Sequence, residues 1–550
     1  MEALLVLALL SFPALYRTAT QPSGKLHVNP VRPLDHPRHW SARASLVAVA
    51  TVIIAVGVPR IAGLSGFPLT DEGYYAYFAM RIGDSLASGQ GLPGDGYLML
   101  YPMLTSWVFS LPENPFVLLR IVDLLIAVAS GLLFFRVLVR ESGSLPVAAL
   151  LSVSFLLAMN ASPFIQNGFK NSFFVAYLPL FLAMLLSQAD TVTRSRWAVI
   201  GALVAACVLL RESFAPFALL AVVAVWIRHG FRSTIALCGG AALTAVIILL
   251  VVLSARGGVT GLIESYQDAA ISFAALQGQK NALFLSGATT AMQFASIPLL
   301  LTALALVALL PGSLRTQRRP VYGRAAFWLV ASLLPLIEPA SKIGFAYHFS
   351  ACLPGMAGLC AWTWRSLPAG RWRSAATGAL TVAAALSLVP AWQMVSLLPA
   401  GLKDARRTAE MGWSEDQHEG TNYLIAADLI RGAAPEGGTL SVSGFMYPLF
   451  PLTDLRPPSP ALSDLSLALI KGHMDGNHLT AALQACSPDV ILTSNRTEFP
   501  GADILDAAVR ATGLYTKFGE VAVDPNRAYG TFGGNVYRKV REGGSACGIE

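Results

Sequence analysis

Long apolar runs divided by short polar segments fill the chain up to about residue 400. Beyond that point the pattern changes to short alternating and amphipathic segments. A membrane helix needs about 20 mostly apolar residues. The runs predict eleven spans, at roughly 44–62, 116–138, 145–161, 171–189, 197–211, 213–228, 234–254, 291–311, 325–339, 346–364 and 374–398. The fifth and sixth are short and separated only by Glu212 and its neighbours. The expected fold class is mostly α and polytopic. The domains are a cytoplasmic segment (1–43), a membrane domain (44–400) with a first outer loop at 63–115, and an α/β domain (401–550). In the last, Thr439–Ser443 and Val490–Thr493 read as short buried strands, and Thr421–Arg431 and Asp503–Thr512 as amphipathic helices. The first 16 residues are apolar but hold Glu2 and Pro13 and no basic leader, so they fit neither a signal peptide nor a full span.

Composition agrees with this reading. Of 550 residues 54% are hydrophobic and 13% charged, with a mean hydropathy of +0.57. Soluble domains carry about 25% charged residues, so an ordinary soluble protein and a disordered one are both excluded. The net charge of +7 is uneven. Residues 1–400 hold 26 basic and 14 acidic residues, and residues 401–550 hold 13 and 18. A basic membrane part joined to a mildly acidic tail is simpler than a nucleic-acid binder.

The basic residues also set an orientation. With 17–43 in the cytoplasm, the segments holding Arg136/Arg140, Arg194/Arg196, Arg228/Arg232, Arg315 to Arg324 and Arg365/Arg371/Arg373 fall on the same side. That side collects 18 basic residues against 8 opposite, as the positive-inside bias requires. The first outer loop, the loop at 255–290 and the whole C-terminal domain then lie outside the cytoplasm, in the periplasm if the cell is Gram-negative. Cys207, Cys238, Cys352 and Cys360 lie in apolar runs. Cys486 and Cys547 lie in the tail and could pair in an oxidising compartment.

The most informative stretch follows the first span: Thr70-Asp71-Glu72-Gly73-Tyr74-Tyr75-Ala76-Tyr77-Phe78-Ala79-Met80-Arg81. Thr70 caps a helix whose acidic first turn suits the helix dipole. Tyr75, Phe78, Ile82 and Leu86 line one face and Tyr77, Arg81, Asp84 and Ser88 another, the pattern of a helix in the membrane interface. Solvated acids on a capped helix are the plain alternative to a reactive site. In the tail, His473-Met474-Asp475-Gly476-Asn477-His478 has metal-binding residue types at a spacing that fits no closed site, and solvated loop residues explain it better.

The Asp71-Glu72-x-x-Tyr75 element resembles the signature of the C-type superfamily of polytopic glycosyltransferases, and is most similar to its protein mannosyltransferase and aminoarabinose transferase group. Further stretches resemble the same group over about residues 44–400. They are Gly96 to Pro102 with Leu104 to Phe109, Asn114-Pro115-Phe116 into Leu119-Arg120, Leu209-Leu210-Arg211-Glu212, and Lys342 to Phe349 followed by Leu353-Pro354. The resemblance implies transfer of a sugar from a polyprenyl-phosphate carrier, drawn from the membrane lipid, to a glycan, lipid or protein acceptor on the far face. It gives Asp71 the role of base with Glu72 as partner. Arg211 and Lys342 would hold the phosphate, with Arg81, Tyr347 and His348 as further donor-site candidates and Tyr75, Lys170 and Asn171 in the sugar or acceptor pocket. Relatives often have a second acid where Asn171 stands, a poorer metal ligand. No cofactor is assigned; a divalent metal, if used, would draw on Asp71, Glu264 or Glu338. Two rivals are a lipid or small-solute transporter, in which intramembrane charges mark a pathway, and a silent relative that binds glycans.

Overall fold

A computed structural model describes residues 42–67, 70–88, 100–111, 114–165, 173–188, 192–255, 263, 280–309, 318–341, 344–411, 421–459, 462–470, 475–495, 502–522 and 532–542. The chain divides into two compact units. One comprises 1–64, 121–248 and 279–402; the other comprises 65–120, 249–278 and 403–550. The first outer loop and the C-terminal segment therefore belong to one unit.

The first unit is helical. Among the described residues five helices are long and apolar enough to cross a membrane: Ala42–Ala62, Pro115–Ser142, Glu212–His229, Phe231–Leu250 and Arg371–Val395. Lys280–Phe294 and Ser296–Ala308 pass the same test only together and are bent by 83°. Leu145–Met159 and Phe174–Ser187 are shorter apolar helices. These helices do not by themselves confirm the eleven spans expected, and proline interrupts two of the expected runs. Pro335 lies in a 3-10 turn, Leu334–Leu336, that interrupts one expected span. The 3-10 segment Ala346–Cys352 precedes Pro354 in the next. A proline lacks the N–H that continues an α-helix and crowds the carbonyl four residues back. Pro59 acts more mildly in the first helix, where a π-helical turn, Ile53–Gly57, comes just before it.

Phe134, Phe135, Phe155, Tyr177, Phe181 and Trp328 belong to the core of this unit. Small residues let helices approach closely. A Cβ on Gly201 would sit 1.9 Å from the Leu237 carbonyl oxygen, and one on Gly240 would sit 1.9 Å from that of Ala198. The helices Arg194–Leu210 and Phe231–Ala255 thus cross backbone to backbone, a packing mode favoured in lipid. Ile235, Leu243, Ile247 and Trp392 are exposed, as residues facing lipid tails would be. The basic helix ends carry bonds as well as charge. Glu141 accepts from Trp328 Nε1 at 3.0 Å and Gln188 Nε2 at 2.9 Å and is paired with Arg324.

In the second unit, helix Thr70–Ser88 is followed by Leu100–Thr105 and a 3-10 turn, Ser106–Ser110. The C-terminal segment forms a sheet of β1 (Leu440–Ser441), β2 (Val490–Ser494), β3 (Tyr515–Val521) and β4 (Gly534–Lys539). The order is β1-β2-β4-β3, with β1 and β2 parallel and the other pairs antiparallel. Helices Thr421–Ala433, Gly476–Ala485 and Ala502–Ala511 accompany it. The expected strands at 439–443 and 490–493 and helices at 421–431 and 503–512 are present within two residues. Strands β3 and β4 were not anticipated. The burial of β3 is mostly exposed or intermediate, which leaves little apolar signal to read.

Candidate active site

Helix Thr70–Ser88 begins with the acidic pair, and the structure separates its two members. Asp71 is partly exposed, whereas Glu72 is fully buried. Glu72 Oε1 accepts from Arg120 Nε at 2.8 Å and Oε2 from Arg120 Nη2 at 2.7 Å. Arg120 Nη1 also donates to the Gly66 carbonyl. A bidentate guanidinium–carboxylate pair is strong and geometrically specific. Glu72 is thus committed to tying the motif helix to the helix that starts at Pro115, while Asp71 keeps access to solvent.

The interfacial-helix expectation needs correction. Ala76, Tyr77, Phe78, Ala79, Met80 and Ile82 are all buried. Tyr77, expected on the polar face, packs on Phe450 at 4.7 Å and Tyr447 at 5.2 Å between ring centroids. The protein's own C-terminal segment covers this helix within the unit. Aromatic residues on two faces suit a membrane interface and a protein partner equally, and the partner lies far along the sequence. Tyr75 stands edge-on to Tyr74 at 5.4 Å and is partly exposed. Arg81 lies ten residues beyond Asp71, about 15 Å along an α-helix, so it is displaced from the acidic turn.

The other unit holds a second cluster. Helix Arg194–Leu210 ends at Arg211, whose backbone is extended at φ −153° and ψ 110°. A 3-10 turn, Glu212–Phe214, follows, and helix Ala215–His229 starts with Pro216 in its first turn. The buried Arg211 guanidinium stacks on Phe173 with Cζ 3.6 Å from the ring centroid, and lies 5.7 Å from that of Tyr347. His348 contacts Tyr347 edge-on at 4.3 Å. Its Nε2 is 3.8 Å from Glu338 Oε1. The unit therefore gathers Arg211, Tyr347, His348 and Glu338. A stacked guanidinium keeps its donors in the plane of the fork, where phosphate oxygens bind.

A third group was not anticipated. Arg60 is paired with Asp123, donates from Nε to Asn160 Oδ1 at 2.6 Å, and lies over Phe174 at 4.9 Å. Arg60, Asp123 and Asn160 are all buried. A carboxylate inside an apolar run was the available signal, because such a charge needs a partner. Lys170, Asn171, Glu264 and Lys342 lie outside the described residues. No group of three His, Cys, Asp or Glu able to hold a metal occurs among the described residues. His473 is outside them too. Asp475 caps helix Gly476–Ala485, accepting from Asn477 N at 2.9 Å and His478 N at 2.8 Å. The bond from the His478 amide, ahead of that residue's charge, holds the Asp475 carboxyl below its usual range. That supports the structural reading of the histidine-containing loop.

No protein-family model matches the chain, and no curated protein matches it. Among solved structures, the crystal structure of ArnT from Cupriavidus metallidurans bound to undecaprenyl phosphate is similar, with a TM-score of 0.53 and 14% identity. The match covers 91% of this chain and 99% of that one. The apo crystal structure of the same ArnT has a TM-score of 0.47 and 14% identity, over 93% and 100%. At this identity the likeness concerns the fold, and the fold of this chain is ArnT-like, as the sequence resemblance implied.

Proposed function

We propose that the chain is a membrane glycosyltransferase that moves a sugar from a polyprenyl-phosphate carrier to an acceptor on the extracytoplasmic face. The observation that carries the reading is the division of the acidic pair. Burial in a bidentate pair removes Glu72 from chemistry and makes it a positioning residue. The partly exposed Asp71 is left as base at a helix N-terminus. A fold does not fix a function, but here it accompanies a suitable site. The similar ArnT structure was crystallised with undecaprenyl phosphate.

The reaction is a single displacement. The acceptor oxygen or nitrogen attacks the anomeric carbon and forms the new glycosidic bond. The bond from that carbon to the phosphate oxygen breaks, and its electron pair leaves with the polyprenyl phosphate. Asp71 takes the acceptor proton. Arg211, with Lys342 assigned from its sequence position, balances the charge gained by the phosphate. Tyr347 borders Arg211 and His348 packs on Tyr347, both assigned to the donor side, and inversion at the anomeric carbon follows. No step is routed through a metal.

Two observations support the outward placement of the C-terminal domain. One is the bias of basic residues. The other is that Cys486 is disulfide-bonded while Cys207, Cys238, Cys352 and Cys360 are free. Disulfides persist in oxidising compartments. Cys547 lies outside the described residues.

The test uses undecaprenyl phosphate charged with labelled hexoses, pentoses or amino sugars, and source-cell envelope as acceptor. Asp71→Asn should abolish transfer while the protein still inserts and binds undecaprenyl phosphate. Full transfer by that variant would sink the assignment. The 83° bend between Lys280–Phe294 and Ser296–Ala308 favours a transporter, since broken helices mark transport sites. Substrate flux in proteoliposomes without a new glycosidic bond would establish that reading instead.

A further inference from the structure

The residue after the acidic pair is Gly73, and its place admits no side chain. A Cβ there would lie 2.2 Å from Pro448 Cγ, 2.4 Å from Pro448 Cδ and 2.6 Å from Pro448 N. The first turn of the motif helix is therefore pressed directly against the C-terminal domain, within one unit. Aromatic rings continue the contact. Tyr74 meets Tyr447 edge-on at 4.9 Å and Phe445 at 5.7 Å.

The opposing turn, Ser443 to Pro448, is itself fixed. Gly444 and Phe445 are consecutive residues at positive φ, 74° and 62°. Phenylalanine rarely adopts that conformation, and such backbone persists only where its surroundings over-determine it, often at functional sites. Here Phe445 N donates to Asp464 Oδ2 at 2.8 Å and Gly444 N to Ser466 Oγ at 2.9 Å. Asp464 Oδ1 in turn accepts from Ser466 N at 2.9 Å, and both residues are buried. On the other side, Ser443 Oγ accepts from Ser494 N at 2.6 Å. The turn is thus a braced abutment, and Gly73 rests on it.

We infer that the C-terminal domain is a positioning element of the transferase, with Pro448 setting the first turn of helix Thr70–Ser88 and so the place of Asp71. The inference rests on the proposed role of Asp71. It assigns the C-terminal domain a part in turnover.

The test is Gly73→Ala in the full chain, with Pro448→Ala alone and combined. Undecaprenyl phosphate is the binding probe, and transfer of labelled sugar from its charged form is the turnover assay. Gly73→Ala should lower kcat about 10- to 100-fold, the scale of a displacement near 1 Å. Undecaprenyl phosphate affinity and KM should stay within about twofold of wild type. Pro448→Ala removes Cγ and Cδ but keeps the backbone nitrogen, so the double variant should regain several-fold of the lost kcat. Wild-type kcat in Gly73→Ala overturns the inference. So does loss of lipid binding together with turnover, or a double variant no better than the single. An active Asp71→Asn would instead overturn the proposed function, while a silent Asp71→Asn beside a fully active Gly73→Ala sinks this inference alone.

Discussion

The pair Glu72–Arg120 offers a test of position against chemistry. Arg120→Met leaves a fully buried carboxylate without its bidentate partner, and Glu72→Leu leaves the guanidinium in the same state. Removing one partner of a buried pair costs about 3–5 kcal/mol, whereas exchanging both for apolar residues of similar size is often neutral. In the double variant Glu72→Leu/Arg120→Met, the Arg120 bond to the Gly66 carbonyl is still lost, about 1 kcal/mol. The two single costs should therefore fail to add by several kcal/mol. Local opening is read by hydrogen exchange on peptides covering residues 71–82. A loss of 3–5 kcal/mol lowers protection by roughly two to nearly four decades, since about 1.4 kcal/mol is a factor of ten. The double variant should lose about one decade and recover turnover along with protection. Single variants that lose less than fivefold would refute the energetics. A protected double variant without turnover would refute the positional role, because Glu72 would then be acting on substrate.

Three further outcomes are expected. Arg211→Lys keeps the charge but loses the flat stack on Phe173 and the fork, so undecaprenyl phosphate affinity should fall about tenfold, as a loss of 1–2 kcal/mol implies; unchanged affinity by thermal-shift titration would remove Arg211 from the phosphate site. Glu141→Ala strips the shared acceptor from Arg324, Trp328 and Gln188 and should cost about 3–5 kcal/mol, seen as earlier denaturant unfolding of the first unit by tryptophan fluorescence. In the C-terminal domain, burial raises the Asp489 carboxyl, but bonds from Thr439 and Lys539 outweigh it and leave the group below its ordinary value. A depressed folded-state value stabilises above the unfolded value of about 3.9 and is lost as pH falls through the folded one. The lead of wild type over Asp489→Asn in thermal midpoint should be full at neutral pH and shrink below about pH 4.

Much of the fold was legible because it depends on local apolar runs. The strands near 440 and 490, their flanking helices and the motif helix follow from short-range pattern alone. The breaks did not follow. Pro335 and Pro354 sit inside runs whose average hydropathy hides them, and so does the π turn before Pro59. Asp71 was legible through its motif and its place beyond an apolar run. Its partition from Glu72 was not, because Arg120 lies 48 residues away from Glu72 and its motif stretch does not say which carboxylate it meets. Arg60 and Asp123, 63 residues apart, were hidden in the same way. Arg211 on the one hand and Tyr347 with His348 on the other come from two separate stretches that the first unit brings together. Sequence names the charges; only the fold says which charge answers which.

That distinction bears on which charges fasten the fold. In hydrocarbon or at its edge an ion without a counter-group is costly, so most such ions are expected in pairs. Arg60 with Asp123, Arg120 with Glu72 and Arg324 with Glu141 meet this expectation, and all three pairs join elements distant in sequence. They are fastenings, whatever the chain acts upon. Asp71 and Arg211 sit in different surroundings. Asp71 keeps partial exposure at a helix N-terminus, and Arg211 is held by an aromatic face at an extended helix end. An aromatic ring steadies a guanidinium without adding a negative charge of its own, which suits a site for an anion. A site for a phosphate leaving group needs that property. A Glu in place of Phe173 would remove it: Phe173→Glu should leave Arg211 in place and abolish undecaprenyl phosphate binding, while Phe173→Tyr should retain it.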